Sequence, residues 1–200
     1  MPTALQLHLS GAARAQPGPL DVFREARRRF LRGRRLDMQE LARDLQISRA
    51  TLYRWVGDRD QLLAEILWSL AEQGLASARE HADAQAVEPG VDWVVRFYSH
   101  FMEATAGFEP IRRFVQAERG QALAVLTSSR GVHQLRLIDA LRAALAERVA
   151  AGHLSLRLEV GDLAYVMVRI AESFIWREFI TGEEPDLARA AEVARVLLSA

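Results

Sequence analysis

Apolar side chains recur along this chain at intervals of three and four residues, which is the spacing of one face of an α-helix. The sequence contains no stretch in which apolar and polar residues alternate for long enough to predict a β-strand. We therefore predict an all-α fold, in which an N-terminal three-helix head with a helix-turn-helix precedes a larger helical body.

Capping residues and glycines divide the N-terminal part into helices. The first helix ends at Gly33 and carries its apolar side chains at helical spacing: Leu20, Phe23, Ala26 and Phe30. Asp37, Ser48 and Asp58 each stand where a short polar side chain can cap the N-terminus of the next helix. Because only a few residues separate the second helix from the third, we expect the two to form a tight helix-turn-helix.

Longer apolar stripes predict the helices of the body. The helix after Asp58 extends to about residue 81, and the next one carries two apolar stripes between residues 91 and 104. Pro110 stands at a position where a further helix can begin. Three more helices are predicted at about 131–151, 159–181 and 186–199.

The charges are divided unevenly between the two ends of the chain, although the net charge is zero. Residues 1–60 contain 12 Arg against 7 Asp or Glu, a net charge of +5, and residues 61–200 contain 14 Arg against 19 acids, a net charge of −5. A basic end of this kind suits a surface that faces phosphate groups. The chain has no Cys, which excludes disulfides and catalytic cysteines.

The helix after Ser48 has the composition of a DNA-reading helix. Arg is the usual partner of guanine edges in the major groove, and hydroxyl groups and further cations suit phosphate oxygens. The candidate DNA-binding residues are Ser48, Arg49, Ala50, Thr51, Tyr53, Arg54 and Arg59. Two amphipathic helices that serve only packing are the alternative, but the three caps and the clustered Arg side chains favour DNA binding. This chemistry needs neither a metal nor a cofactor.

Residues 41–63, LARDLQISRATLYRWVGDRDQLL, resemble the signature of the TetR (tetracycline-repressor-like) family of transcriptional regulators. The resemblance implies a dimeric DNA-binding protein, usually a repressor, with a helical regulatory body. Four positions depart from the signature: Gln46 replaces a turn glycine, and Trp55, Val56 and Arg59 replace His, Phe and Lys. If the turn still requires a left-handed residue, Gln46 costs roughly 1 kcal/mol.

Two segments of the C-terminal half resemble a subgroup of that family, the QsdR-type regulators, which are associated with quorum-signal degradation and lactone-type signals. The segments are RFVQAE at 113–118 and DLAYVMVRIAESFIWREFITGEEPDLARAAEVARVLL at 162–198. Pro17, Gly18 and Pro19 separate a flexible arm at 1–19 from the first helix. From there on, the resemblances imply a helix-turn-helix DNA-binding domain at 20–65 and a ligand-binding and dimerisation domain at 66–200.

The predicted helix at 159–181 is apolar almost all round, so a single subunit leaves part of it uncovered. The resemblance implies that the same helix of a second subunit covers it, together with the last helix. The candidate residues of this homodimer interface are Leu163, Met167, Ile170, Leu187, Ala191, Ala194 and Leu198. A monomer with a deeply buried helix is the alternative.

Aromatic side chains on the body helices, with a few charged residues among them, are candidates for a ligand cavity. The candidates are Phe97, Phe101, Phe108, Phe114, Glu118, Tyr165, Arg169, Glu172, Phe174 and Trp176. Plain core packing is the alternative for each aromatic residue, and Arg169 could pair with Glu172 at i,i+3 spacing without contacting a ligand. The expected effector is a small apolar compound, such as a lactone or an acyl compound.

Other functions have little support in the sequence. It lacks HExxH, GxSxG and a glycine-rich phosphate loop, and the spacing of His100 and Glu103 is more typical of a packing or surface pair than of a metal site. We therefore expect no enzymatic activity, and a body controlled by a protein partner is the alternative to control by a small molecule. No run approaches the about 20 apolar residues of a membrane helix, and the first residues lack a secretory signal, so we expect a cytoplasmic protein.

Overall fold

A computed structural model describes residues 17–85, 88–127 and 132–199, except for the side chain of Val132. Within these residues the chain forms eleven α-helices and no β-strand, which confirms the predicted all-α fold. No helix in this part of the chain is long and apolar enough to cross a membrane. Most of the predicted arm, residues 1–16, lies outside the described residues.

The helices divide into a head, which ends at Arg59, and a body, which starts at Asp60. The head contains α1 (Pro19–Leu31), α2 (Met38–Asp44) and α3 (Arg49–Val56). The body contains α4 (Arg59–Asp83), which starts on the last residue of the head, then α5 (Val91–Gly107), α6 (Glu109–Ala117), α7 (Arg119–Thr127), α8 (Val132–Ala150), α9 (Val160–Ile175), α10 (Arg177–Ile180) and α11 (Leu187–Leu198). The boundary predicted after residue 65 lies inside α4. The apolar periodicity of one continuous helix cannot show where the head ends and the body begins.

Three short helices enclose the core of the head. α1 packs against α2 and α3, and Leu52 of α3 is fully buried. The buried face of α1 follows i, i+4, i+8 spacing from Val22 through Ala26 to Phe30. Leu20, which we predicted on this face, is 65% exposed in the first turn of the helix.

The helices of the head start where the predicted capping residues stand. The carboxylate of Asp37 accepts hydrogen bonds from the backbone N of Gln39 at 2.7 Å and of Glu40 at 3.0 Å. These bonds lower the pKa of Asp37, because they favour the charged carboxylate. α4 starts directly after Asp58, the third predicted cap.

The core of the body is built around α9. This helix packs against α8 and α11, and α11 also packs against α5. Leu163 and Met167 of α9, like Leu198 of α11, are at most 1% exposed within the single chain. Much of the apolar surface predicted for α9 is therefore buried within one subunit.

Two breaks that were not predicted from the sequence interrupt the helices of the body. Glu118 leaves the helical conformation, with φ −135° and ψ 46°, and separates α6 from α7. Trp176, whose side chain is only 4% exposed, separates α9 from the short α10 within the predicted helix 159–181. Helical spacing of apolar residues continues across both positions, so periodicity alone does not reveal the breaks.

Candidate functional site

A side-chain cap forms the N-terminus of α3. Ser48 Oγ accepts a hydrogen bond from the backbone N of Thr51 at 3.0 Å and lies 2.9 Å from Thr51 Oγ1. The cap satisfies one of the backbone N–H groups that have no partner inside a helix. The first turn of α3 is therefore fixed by the head itself.

α3 has one inward and one outward side. Leu52 is fully buried and anchors the helix in the core of the head. Of the other predicted residues on this helix, Thr51 is half-buried and four are exposed: Arg49, Ala50, Tyr53 and Arg54. The structure thus brings six of the seven predicted DNA-binding residues together on one capped helix.

The turn between α2 and α3 contains a residue in an unfavourable conformation. Gln46 has a φ of 56°, and no other non-glycine residue in the described parts of the chain has a positive φ. Its backbone N donates to Arg43 O at 3.0 Å, and Ile47 N donates to Ala42 O at 3.0 Å. The turn therefore keeps the left-handed geometry that a glycine adopts without steric cost.

Arg59, the seventh predicted DNA-binding residue, is tied to the backbone of the head. Its Nε donates a hydrogen bond to Leu36 O at 2.7 Å, and the residue is half-buried. This bond gives Arg59 a structural role that the sequence analysis did not predict. Its contact with DNA phosphate stays a prediction.

Arg29 is a second structural arginine that sequence reasoning missed. It is only 4% exposed, its Nε donates to Glu25 Oε1 at 2.8 Å, and its Nη2 donates to Asp44 Oδ2 at 2.6 Å. The pair with Asp44 joins α1 to the end of α2. A signal was present, because Arg29 lies seven residues after Val22 and therefore on the buried face of α1.

The body encloses a cavity of about 290 Å³. This volume is near the lower end of the about 300–1,000 Å³ that is typical of small-molecule pockets. Residues of α4 to α9 line it, and most of the lining is aliphatic or aromatic. The aliphatic part includes Leu67, Leu70 and Leu75 of α4, Leu137 and Leu141 of α8, and Val168 of α9.

Five of the ten predicted ligand residues line this cavity: Phe97, Phe101, Phe108, Glu172 and Trp176. The other five do not line it: Phe114, Glu118, Tyr165, Arg169 and Phe174. Helical spacing shows which residues share a face of a helix, but it does not show which face meets a cavity. For this reason the sequence could not distinguish the five lining residues from the other five.

The excluded residues have other places in the body. Phe114 is 7% exposed and belongs to the packed core, whereas Tyr165 is 53% exposed on α9. Phe174 borders a shallow outer groove beside Arg177, and Glu118 is half-buried at the end of α6.

Arg169 and Glu172 form the i,i+3 pair that was the alternative to ligand contact. Arg169 Nη1 donates to Glu172 Oε2 at 2.5 Å, and the Arg169 side chain is 41% exposed. Glu172 is itself 8% exposed and lines the cavity. Burial raises the pKa of Glu172 to about 7, and the nearby Arg169 charge partly opposes this shift.

His133 is a polar lining residue that the sequence analysis did not select. It is 6% exposed, and its Nδ1 has no hydrogen-bond partner among the described residues. Burial lowers its pKa to about 4, so the imidazole is neutral at pH 7. A signal was present in the sequence, because Leu137 and Leu141 follow His133 at i+4 and i+8 and therefore share one face of α8 with it.

His100, which the sequence paired with Glu103, has a packing role. His100 stacks on His81 with 4.2 Å between the ring centroids, and its Nε2 lies 3.4 Å from Ser77 Oγ. Within the described ranges, no group of three or more His, Asp or Glu side chains is placed to hold a metal ion.

The predicted dimer residues divide between the subunit core and its surface. Four of the seven are at most 1% exposed in one chain: Leu163, Met167, Ala194 and Leu198. Side chains buried so completely add no surface to an interface, and we reassign these four to the subunit core. The other three are half-buried: Ile170, Leu187 and Ala191. Tyr165 and Val196 are exposed apolar side chains on the same two helices, α9 and α11.

The body has the sequence pattern of a known family. Residues 89–199 match the family described as Tetracyclin repressor-like, C-terminal domain. Among the curated proteins, no match was found.

Solved structures share the fold of the whole chain. The transcriptional repressor QsdR from R. erythropolis is 24% identical in sequence over 90% of this chain and 94% of its own, with a TM-score of 0.80. The repressor AlkX from Dietzia sp. strain DQ12-45-1b is 22% identical over 93% and 96%, with a TM-score of 0.60. FadR from Bacillus subtilis, solved in complex with stearoyl-CoA, is 13% identical over 90% and 96%, with a TM-score of 0.53.

Proposed function

The chain belongs to the TetR family of transcriptional regulators, and on that premise we propose that it is a repressor that leaves its operator when a small effector binds in the body. In this proposal α3 reads the DNA, and the body takes up the effector and forms a homodimer. The protein then acts by binding and not by catalysis.

The capped N-terminus of α3 is the observation that carries the DNA-binding part. Its first turn is fixed by Ser48, its inner side is anchored by Leu52, and it presents two arginines and a tyrosine to solvent. A helix of this kind fits the major groove, where arginine pairs with guanine edges. We assign base contacts to Arg49 and Arg54, and phosphate contacts to Thr51 and Tyr53.

A homodimer would give the operator its symmetry. We place the interface on the outer faces of α9 and α11, where Tyr165 and Val196 are exposed. A two-fold dimer presents two copies of α3, so the operator is expected to be pseudo-palindromic, with half-sites about one helical turn or a small multiple apart.

The dimer part of the proposal is tested by light scattering. Val196→Glu places a charge in the proposed interface and is expected to yield folded monomers at micromolar concentration. Leu135→Glu is the matched control, because Leu135 is a similarly exposed apolar residue on α8. A wild-type protein that is a folded monomer at this concentration would contradict the proposal.

The apolar cavity supports control by a small molecule. An effector bound there contacts Leu67 and Leu75 of α4, and the same unbroken helix begins at Arg59 of the head. We infer that α4 transmits the binding event, because a helix is a rigid element. The effector lowers operator affinity only by the difference between its affinities for the two states of the protein, typically about 1–3 kcal/mol.

The similar structures favour an acyl compound as the effector. FadR, which shares the fold, was solved with stearoyl-CoA, a molecule with a long acyl chain. The aliphatic and aromatic lining here suits such a chain. An acyl compound or a lactone of modest length is therefore the class that we propose.

DNA reading is tested by selecting an operator from a random duplex library and titrating it in mobility-shift assays. Arg54→Ala is expected to lower affinity for the selected sequence by about 1–3 kcal/mol and to relax preference at one base position. Arg157→Ala is the matched control, because it removes an exposed arginine from the body. Equal operator binding by Arg54→Ala and Arg157→Ala would contradict the assignment.

A further inference from the structure

The polar side chains that line the cavity differ in whether their hydrogen-bonding groups already have a partner within the protein. Tyr98 donates its hydroxyl to Met167 O at 2.7 Å, and Thr105 donates its hydroxyl to Phe101 O at 2.8 Å. His133 is different, because it is 94% buried and its Nδ1 has no hydrogen-bond partner among the described residues. A buried polar atom without a partner is unusual in a folded protein and marks a place where a ligand group can bind.

Charge is the second distinguishing property of the lining. No arginine or lysine is among the described lining residues, and Arg169, the cation paired with Glu172, donates to that carboxylate from outside the set of lining residues. The Arg169 guanidinium also lies 3.5 Å from Thr127 O. An anionic ligand would therefore meet the Glu172 carboxyl and a neutral imidazole, with no free cation to balance its charge.

From these two observations we propose that the effector has an uncharged carbonyl head group, such as an amide or ester, which hydrogen-bonds to His133 in the cavity that Glu172 also lines, and that the cavity rejects a free carboxylate of the same chain length. This inference rests on the proposed function, because it takes the cavity to be the effector site. A neutral imidazole carries one N–H donor and one acceptor, which matches a carbonyl or amide but does not compensate an anion. The aliphatic chain of the ligand lies along Leu67 and Leu70 of α4.

The test compares two probes that differ only in the head group, decanamide and decanoate, by calorimetric titration of the full-length protein at pH 7.5. We expect decanamide to bind at least about 10-fold more tightly than decanoate, since a buried uncompensated charge is costly. Equal affinities, tighter binding of decanoate, or no binding of either probe would overturn the inference.

Two variants identify the residues responsible. His133→Phe keeps a ring but removes the nitrogen atoms, and we expect it to weaken decanamide binding about 10-fold while leaving the ligand-free protein as stable as the wild type. Glu172→Gln removes the acid, and we expect it to strengthen decanoate binding about 10-fold while decanamide binding changes little. His153→Phe, at an exposed position outside the lining, is the matched control.

The outcomes separate this inference from the function on which it rests. If both probes bind and release operator DNA with equal strength, or if His133→Phe leaves decanamide binding unchanged, the head-group assignment is wrong and the ligand-controlled repressor stands. If decanamide binds with the predicted preference but leaves operator affinity unchanged, the head-group assignment stands and control through this cavity is wrong. Glu172→Gln decides the charge argument on its own if His133→Phe does not fold.

Discussion

The proposed DNA-reading helix of the head, α3, and the cavity of the body are built in different ways. The proposed DNA contacts on α3 come from consecutive residues of one short helix, each placed by local rules such as the Ser48 cap. The cavity draws its lining from α4 to α9, and its shape depends on how those helices pack. A surface made by one helix can be changed residue by residue, whereas a change in the cavity alters packing and charge together.

The largest change in stability is expected on α3, whose inward side packs in the core and whose outward side carries the proposed DNA contacts. Leu52→Ala empties a fully buried position and should lower the free energy of unfolding of the head by about 2–5 kcal/mol. Tyr53→Ala, on the outward side of the same helix, should change stability by less than about 0.5 kcal/mol and still weaken DNA binding. Chemical denaturation of the two variants checks this, and similar stability losses would contradict the two-sided account of α3.

A smaller effect is expected from the charge state of the cavity. Burial raises the pKa of Glu172 to about 7 from the ordinary value of 4.5, so the folded protein keeps a proton that the unfolded chain releases. The free energy of unfolding therefore falls as the pH rises from about 4.5 to 7. Glu172→Gln lacks this loss and should gain roughly 2–3 kcal/mol over the wild type across that range.

His133 provides an internal check of opposite sign. Burial lowers the pKa of His133 to about 4 from 6.5, so the wild type loses stability as the pH falls through this range. His133→Phe should remove that loss. Denaturation curves measured between pH 4 and 8 check both variants, and stability differences that stay constant over pH would contradict both assignments.

Variants of Arg59 test whether stability and DNA binding can be separated at this residue, as they can on α3. Arg59→Ala removes the hydrogen bond to Leu36 O and should lower stability by about 1–2 kcal/mol, and it should also reduce the salt dependence of DNA binding by about one unit of slope. Arg59→Lys keeps the charge but not the Nε donor. It should restore the salt slope without restoring all of the stability, and a full recovery of both would show that the hydrogen bond contributes nothing.

The smallest effect is expected at the turn before α3. Gln46→Gly relieves a left-handed backbone at φ 56° and should stabilise the head by about 1 kcal/mol without changing DNA contacts. Thermal unfolding measures the gain, and Gln39→Gly, at an exposed position inside α2, should instead destabilise. A loss of stability in Gln46→Gly would mean that the side chain makes a compensating contact.

The same contrast explains what could be predicted from the sequence. The caps at Asp37 and Ser48 and the left-handed Gln46 depend on neighbouring residues, and sequence reasoning found all three. His133 was missed and Tyr165 was misplaced, because only the packing of distant helices decides which face of α8 or α9 meets the cavity. The core role of Leu163 was missed for the same reason, since periodicity marks a residue as buried without saying which surface covers it.

Titration of decanamide into the protein with and without saturating operator DNA tests the central claim most directly, because binding in the body and binding by the head must weaken each other by the same factor. The account predicts that operator DNA reduces decanamide affinity by about 5- to 150-fold, and that decanamide reduces operator affinity by the same factor. Equal decanamide affinities in the two titrations would contradict the claim that the cavity controls the DNA-binding head.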